Sequence, residues 1–217
     1  MSPTHVLQQS NATAWQSIAQ HAFCRELAEG SLPNARMAEY LIQDYSFIDG
    51  FVRLAATAIA HAPTLKDSVP LAQFLAVITG PENTYFLRSF DALGVSEERW
   101  RHPQLWSVTQ DFQAIMTEAR LSGSYARMIA VLVVAEWSYL EWATPFNPPA
   151  DTLPFYFAEW ISLHAGPDFE GVVSYLRTQL DTVWATLDDT EQSHVEDIFS
   201  RTVALEQRFF DQAYQPD

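Results

Sequence analysis

The chain has 217 residues, 48% of them hydrophobic and 18% charged, which is enough for one well-filled core and excludes a disordered composition. Its 27 acidic residues against 12 basic ones give a formal charge of −15. That balance argues against nucleic acid or an anionic membrane surface as partner: both need a basic stripe, and the densest basic pair, Arg99 and Arg101, is flanked by Glu97 and Glu98.

Helical spacing dominates from end to end. A first helix is expected over roughly 5–29, stopped by Gly30, and Pro33 is placed to open the next at its first turn, running to about His61 before Pro63. A third region, about 67–93, is interrupted at Gly80-Pro81 and ends at Gly94. Pro103 starts a helix that ends near Leu121, and the apolar run Met128–Ala143 reads as a central helix buried on most sides. Four prolines between 145 and 154 mark a loop. Two shorter helices follow, about 155–165 and 168–187, and a last one over about 190–214 with Asp189 and Gln192 as its capping pair. No segment alternates long enough for a strand, and short loops between long helices imply antiparallel neighbours. The expectation is an all-α, single-domain bundle of about seven to nine helices spanning residues 1–217. No run approaches about 18 uninterrupted apolar residues and the start, MSPTHVLQQSN, has no basic-then-apolar pattern, so a soluble, cytoplasmic protein is expected.

Three acids interrupt the apolar stripes. Asp44 has Tyr40, Phe47 and Phe51 at offsets −4, +3 and +7; Glu136 has Leu132, Val133, Tyr139 and Leu140 at −4, −3, +3 and +4; Glu206 has Thr202, Val203, Phe209 and Phe210 at the same four. Those offsets share one helix face, the one that should turn inward. Burying an unpaired carboxylate costs several kcal/mol or forces it to take up a proton. Either the acids build a polar pocket between helices, or each sits at a stripe edge and reaches solvent. A pocket whose charge is compensated by Arg53 or Arg127 is a further arrangement. Carboxylates framed by aromatic walls suit a flat, nitrogen-rich heteroaromatic ligand, the rings stacking and a carboxylate accepting from its amines.

Other chemistry is thinly represented. There is no Gly-rich phosphate loop, Cys-x-x-Cys, His-Glu-x-x-His or Gly-x-Ser-x-Gly. The single cysteine, Cys24, rules out an internal disulfide and reads as a buried structural residue, with only Arg25 beside it to favour a thiolate. A bundle metal site would draw on Glu82, Glu136, His164 and Asp168, but the glutamates are followed at +3 by Tyr85 and Tyr139 where a histidine ligand is needed.

The stretch HAFCRELAEGSLPNARMAEYLIQDYSFIDGF (21–51) resembles the N-terminal signature of the TenA/thiaminase II family, with Glu82, SGSYARMIAVLVVAEWSY (122–139), AEWISLHAGPDF (158–169) and ALEQRFFDQAY (204–214) following in order. The resemblance implies a haem-oxygenase-like helical fold, self-association as a tetramer or dimer, and no cofactor. The implied activity is salvage of thiamin breakdown products, hydrolysing 4-amino-5-aminomethyl-2-methylpyrimidine or a relative to the hydroxymethylpyrimidine. It implies that Asp44 binds the pyrimidine edge, that Glu206 moves protons, and that Tyr45, Phe47, Phe112, Tyr139, His164 and Phe209 contact the substrate. The family's Cys-x-Trp-x-Tyr motif reads Ala135-Glu136-Trp137-Ser138-Tyr139, so the chain resembles a branch that lacks the nucleophilic cysteine and carries a glutamate in the region, and Glu136 is the candidate to activate water in place of covalent attack. Three pocket tyrosines common in the cysteine branch are Phe47, Phe112 and His164, which makes intact thiamin a poor substrate.

Overall fold

The computed structural model describes residues 1–215, the final two of the expected domain range lying outside, and among the described residues it has twelve α-helices and no strand. The excess over seven to nine begins at the N-terminus. The expected helix over 5–29 is three: α1 (Pro3–Ser10), α2 (Ala12–Ala19) and α3 (Ala22–Glu29). Asn11 breaks the first junction by donating from its side chain to Leu7 O at 2.9 Å, the local bonding that disfavours Asn inside helices. His21 makes the second, its Nδ1 accepting from the Phe23 N–H at 3.1 Å as an N-cap. The breaks let the segment bend while Leu7, Trp15, Ile18, Phe23 and Leu27 all stay in the core.

Gly30 ends α3 in a left-handed conformation (φ 73°), and Ser31 N–H closes on Glu26 O at 2.9 Å. Helix α4 (Asn34–His61) follows, then α5 (Leu65–Val77). At Gly80-Pro81 the chain is not interrupted as expected. It passes through a π-helical turn, Ile78–Glu82, directly into α6 (Asn83–Ala92). The wider turn absorbs the donor that Pro81 lacks. A five-residue helix α7 (Glu97–Arg101) was not expected.

Helix α8 (Ser107–Leu121) starts four residues later than Pro103 suggested, because Gln43 of α4 captures the preceding segment. Its Oε1 accepts from Trp106 N–H at 3.0 Å and its Nε2 donates to Gln104 O at 3.0 Å. Helix α9 (Tyr125–Ala143) starts earlier than Met128, capped by Ser124 Oγ accepting from Arg127 N–H at 3.2 Å. A 3-10 turn (Thr144–Phe146) leads into the proline-rich loop, followed by α10 (Phe155–Leu163), α11 (Pro167–Trp184) and α12 (Asp189–Tyr214). The cap of α12 is Asp188, which accepts from Glu191 N–H at 2.8 Å; the expected pair, Asp189 and Gln192, lies one residue too far along.

Helix α9 is the axis of the molecule: α2, α4, α8, α11 and α12 pack around it, and it is buried almost throughout. A mostly apolar helix can be enclosed in this way, and Glu136 is the acid it carries into the centre. Among the described residues no helix is long and apolar enough to cross a membrane.

Candidate active site

Asp44 on α4, Glu136 on α9 and Glu206 on α12 line one cavity. A fourth acid joins them, Glu82, at the last position of the π turn. Their exposures are 5%, 9%, 3% and 8% in that order, so all four carboxyls are taken out of water. The helix faces account for this. Each acid occupies an inward register, and the aromatic residues one turn away wall the space around it.

Phe47 and Phe112 meet edge to face at 5.1 Å, and Phe112 meets Phe209 at 6.0 Å, closing the α4–α8–α12 side. Phe51 and Phe74 continue the wall toward α5. Opposite, Tyr139 lies 4.8 Å from the His164 ring, which lies 4.3 Å from Trp160.

Among the described residues no lysine or arginine lines the cavity to compensate the acids. Arg53 is exposed and paired with Asp49, and Arg127 is bound to Glu191 on the surface, so neither plays the compensating part considered from the sequence. Burial raises Asp44, Glu136 and Glu206 well above the usual carboxylate range and pushes Glu82 up to about 7. Neighbouring acids add to the effect: Glu82 acts on Asp44, Asp44 on Glu206, and all three on Glu136. Among the described residues His164 is the one basic side chain on the lining. Burial holds its ring down at about 4, and its Nδ1–H donates to the Trp160 carbonyl at 2.9 Å. A neutral imidazole in this tautomer keeps an Nε2 lone pair, so even the histidine offers an acceptor. The cavity is therefore built to receive hydrogen-bond donors and positive charge, between flat apolar walls.

The sequence pattern of the TENA/THI-4/PQQC family matches residues 8–216. The chain belongs to that family. A relative from Halalkalibacterium halodurans named aminopyrimidine aminohydrolase is 27% identical over 202 residues, covering 92% of this chain and 90% of its own. Among solved structures, a TenA family transcription regulator from Silicibacter sp. TM1040 superposes with a TM-score of 0.86 at 22% identity, over 98% of this chain and 96% of the other. A Shewanella denitrificans domain with a haem-oxygenase-like fold superposes at 0.71 with 16% identity, over 99% and 93%. The fold of this TENA/THI-4/PQQC member is haem-oxygenase-like.

Of the residues singled out from the sequence, Phe47, Phe112, Tyr139, His164 and Phe209 line the cavity with the three acids. Tyr45 does not. It lies one residue, or about 100° around α4, past Asp44, and its ring packs against Phe86, Phe90 and Trp100 while its hydroxyl donates to Asn83 at 2.9 Å. The expected substrate contact is a structural residue between α4, α6 and α7. Ala135, the position at which the resemblance expects a cysteine, lines the cavity. Cys24 is buried outside that lining, its thiol raised by burial, and is not an activated nucleophile.

The metal arrangement does not assemble. Among the described residues no three His, Cys, Asp or Glu side chains gather closely enough to hold an ion, and Asp168 is exposed in the first turn of α11. Glu82 and Trp160 were missed as lining residues. For Glu82 the signal was present: Ile78, Tyr85 and Phe86 stand at −4, +3 and +4, the same offsets that marked the other acids.

Proposed function

We propose that this protein is an aminopyrimidine aminohydrolase of thiamin salvage, replacing the amine on the 5-methylene carbon of 4-amino-5-aminomethyl-2-methylpyrimidine or a close relative by hydroxyl. The observation that carries the reading is a cavity of four acids and one neutral histidine between aromatic walls, a chemical complement to a flat ring bearing amines. The name borne by the Halalkalibacterium relative supports it.

On this reading water adds to the methylene carbon, the carbon–nitrogen bond breaks, and ammonia and the hydroxymethylpyrimidine leave. Asp44 accepts from the amino and ring-nitrogen edge and orients the ring. The aminomethyl nitrogen enters as an ammonium and leaves as ammonia, while Glu206, held protonated by burial, lends a proton to the pyrimidine ring and recovers it from the product. Glu136 takes the proton from the attacking water. In the empty cavity it too is held protonated, and the positive charge of an arriving substrate is what lets it ionise. Phe47, Phe112 and Phe209 stack on the ring from the α4–α8–α12 side, with Tyr139 and His164 opposite. Ala135 leaves no nucleophile for covalent attack on the ring, so the chemistry is general acid–base without cysteine, and it requires no cofactor. On the same reading the enzyme works in the cytoplasm as a homo-oligomer, a tetramer or dimer, which rests on the family resemblance and is tested by light scattering.

Incubating purified protein with the aminomethylpyrimidine should release ammonia and hydroxymethylpyrimidine in equal amounts. Tight binding of the pyrimidine with no release of ammonia would instead make the protein a non-catalytic binder.

A further inference from the structure

Glu82 has no part in the chemistry just described, yet it is one of four carboxyls on the same cavity. It is nine-tenths buried, and desolvation is the one influence of size on its acidity, with no hydrogen bond or cation to stabilise its charge. The backbone beneath it is special. The π turn Ile78–Glu82, built on Gly80-Pro81, brings both Ile78 and Glu82 onto the lining. Single π turns inside α-helical runs are rare and gather at functional sites. An apolar residue at this lining position, which Phe74, Ile78 and Trp160 share, would avoid the cost of burying a carboxyl.

Its neighbours locate it within the cavity. Glu82 is the charge that raises Asp44, and it is the foremost neighbouring charge acting on Glu136. It lines the same cavity as the acid assigned to the ring edge and the acid assigned to the water, so a substrate held by those two presents its exocyclic methylene to a lining that includes Glu82. Of the four acids it is also the one whose acidity falls near neutrality, at about 7, so it becomes a carboxylate most readily.

We propose that Glu82 is the specificity-determining carboxylate that pairs with the ammonium on the exocyclic carbon, so that the site selects pyrimidines carrying a cation there. The inference rests on the aminohydrolase reading. It also explains turnover: the substrate enters as an ammonium and pairs with Glu82, whereas the neutral hydroxyl product has no such partner and is released.

Calorimetric titration with two probes tests it, 4-amino-5-aminomethyl-2-methylpyrimidine and its 5-hydroxymethyl counterpart. Wild-type protein should bind the aminomethyl probe more tightly by about 10-fold or more, the worth of one charge-assisted hydrogen bond. Glu82→Gln should remove that preference while leaving hydroxymethyl binding within about threefold, and Glu82→Asp should restore part of it. Equal wild-type affinities would overturn the proposal without any variant having to fold. Equal losses for both probes in Glu82→Gln would reduce Glu82 to a structural role, with the aminohydrolase reading left standing. Wild-type protein that binds neither probe would overturn that reading, and this inference with it.

Discussion

The phenol oxygens of Tyr40 and Tyr139 share a hydrogen bond of 2.6 Å in the interior, joining α4 to α9. Tyr40 lies one turn before Asp44 and Tyr139 one turn after Glu136, so the bond fixes how those two acids face each other across the cavity. Tyr139→Phe leaves the Tyr40 hydroxyl buried without its partner, at a cost of about 1–3 kcal/mol. Tyr40→Phe with Tyr139→Phe removes donor and acceptor together and should recover part of that loss. Urea denaturation of the two singles and the double closes the cycle. A double variant as unstable as the sum of the singles would mean the hydroxyls act independently.

Glu206→Gln keeps the shape of the side chain and removes its proton. The expected outcome is a fall in kcat of about 10²–10⁴-fold, the usual worth of one positioned acid or base. Because the acid is buried without a compensating cation, the melting temperature should stay level or rise. Asp44→Asn should act differently, weakening pyrimidine binding while the protein stays folded. Activity within threefold of wild type for Glu206→Gln, or unchanged pyrimidine affinity for Asp44→Asn, would remove the residue from its proposed role.

Much of the site is readable in the sequence because it depends on periodicity within single helices. Asp44, Glu136 and Glu206 announce themselves by their apolar neighbours at three and four residues, and no tertiary knowledge is needed to place them inward. The same arithmetic, applied strictly, separates Asp44 from Tyr45, which the resemblance alone had grouped with it. Glu82 carries the same pattern, but Gly80-Pro81 reads as a break, and an acid beside a break is not assigned to a face. Trp160 reaches the lining from α10, across a proline-rich loop, and only tertiary packing brings it there. The late start of α8 has a similar origin, since a side chain of α4 holds residues that local preference would have made helical.

The acids also fix how stability depends on pH. A carboxyl whose folded pKa is raised stabilises the protonated native state, so its contribution is complete below the ordinary carboxylate range and is lost as pH rises through the folded value. For Glu82 that window runs from 4.5 to about 7, and Asp44, Glu136 and Glu206 act in the same direction. His164 opposes them: held at about 4 against an ordinary 6.5, it contributes above 6.5 and loses that contribution as pH falls toward 4. Above 6.5 the histidine is silent and the acids act alone. The surface carboxylates Glu118 and Glu191, lowered by their arginine partners, titrate below the window. The ligand-free protein should therefore melt lower at about pH 8.5 than at about pH 6.5, each acid contributing a slope of up to about 1.4 kcal/mol per pH unit until its own folded value is passed, which for Glu82 happens at about 7. Glu206→Gln should flatten the decline in scanning calorimetry. A melting temperature that rises over this interval would show the carboxyls to be ionised and compensated in the native state.

Gln43, beside Asp44, supports the site from behind. It is buried, and besides its bonds to Trp106 N–H and Gln104 O its Oε1 accepts from Thr109 Oγ1 at 2.8 Å. The segment it holds carries Trp106, whose ring meets Phe209 edge-on at 5.8 Å, and Phe209 lines the cavity. Gln43→Leu has a similar volume but strands the Trp106 N–H, the Gln104 carbonyl and the Thr109 hydroxyl, each worth about 1–3 kcal/mol when buried without a partner. Relaxation of the segment toward solvent relieves part of this, so the expected net loss is about 2–5 kcal/mol in urea denaturation. The same relaxation frees Trp106 and loosens the Phe209 wall, so KM for the pyrimidine should rise more than kcat falls. A Gln43→Leu protein within about 0.5 kcal/mol of wild type would mean that residues 103–106 hold their course without this side chain. The wall of the cavity would then owe its position to aromatic packing alone.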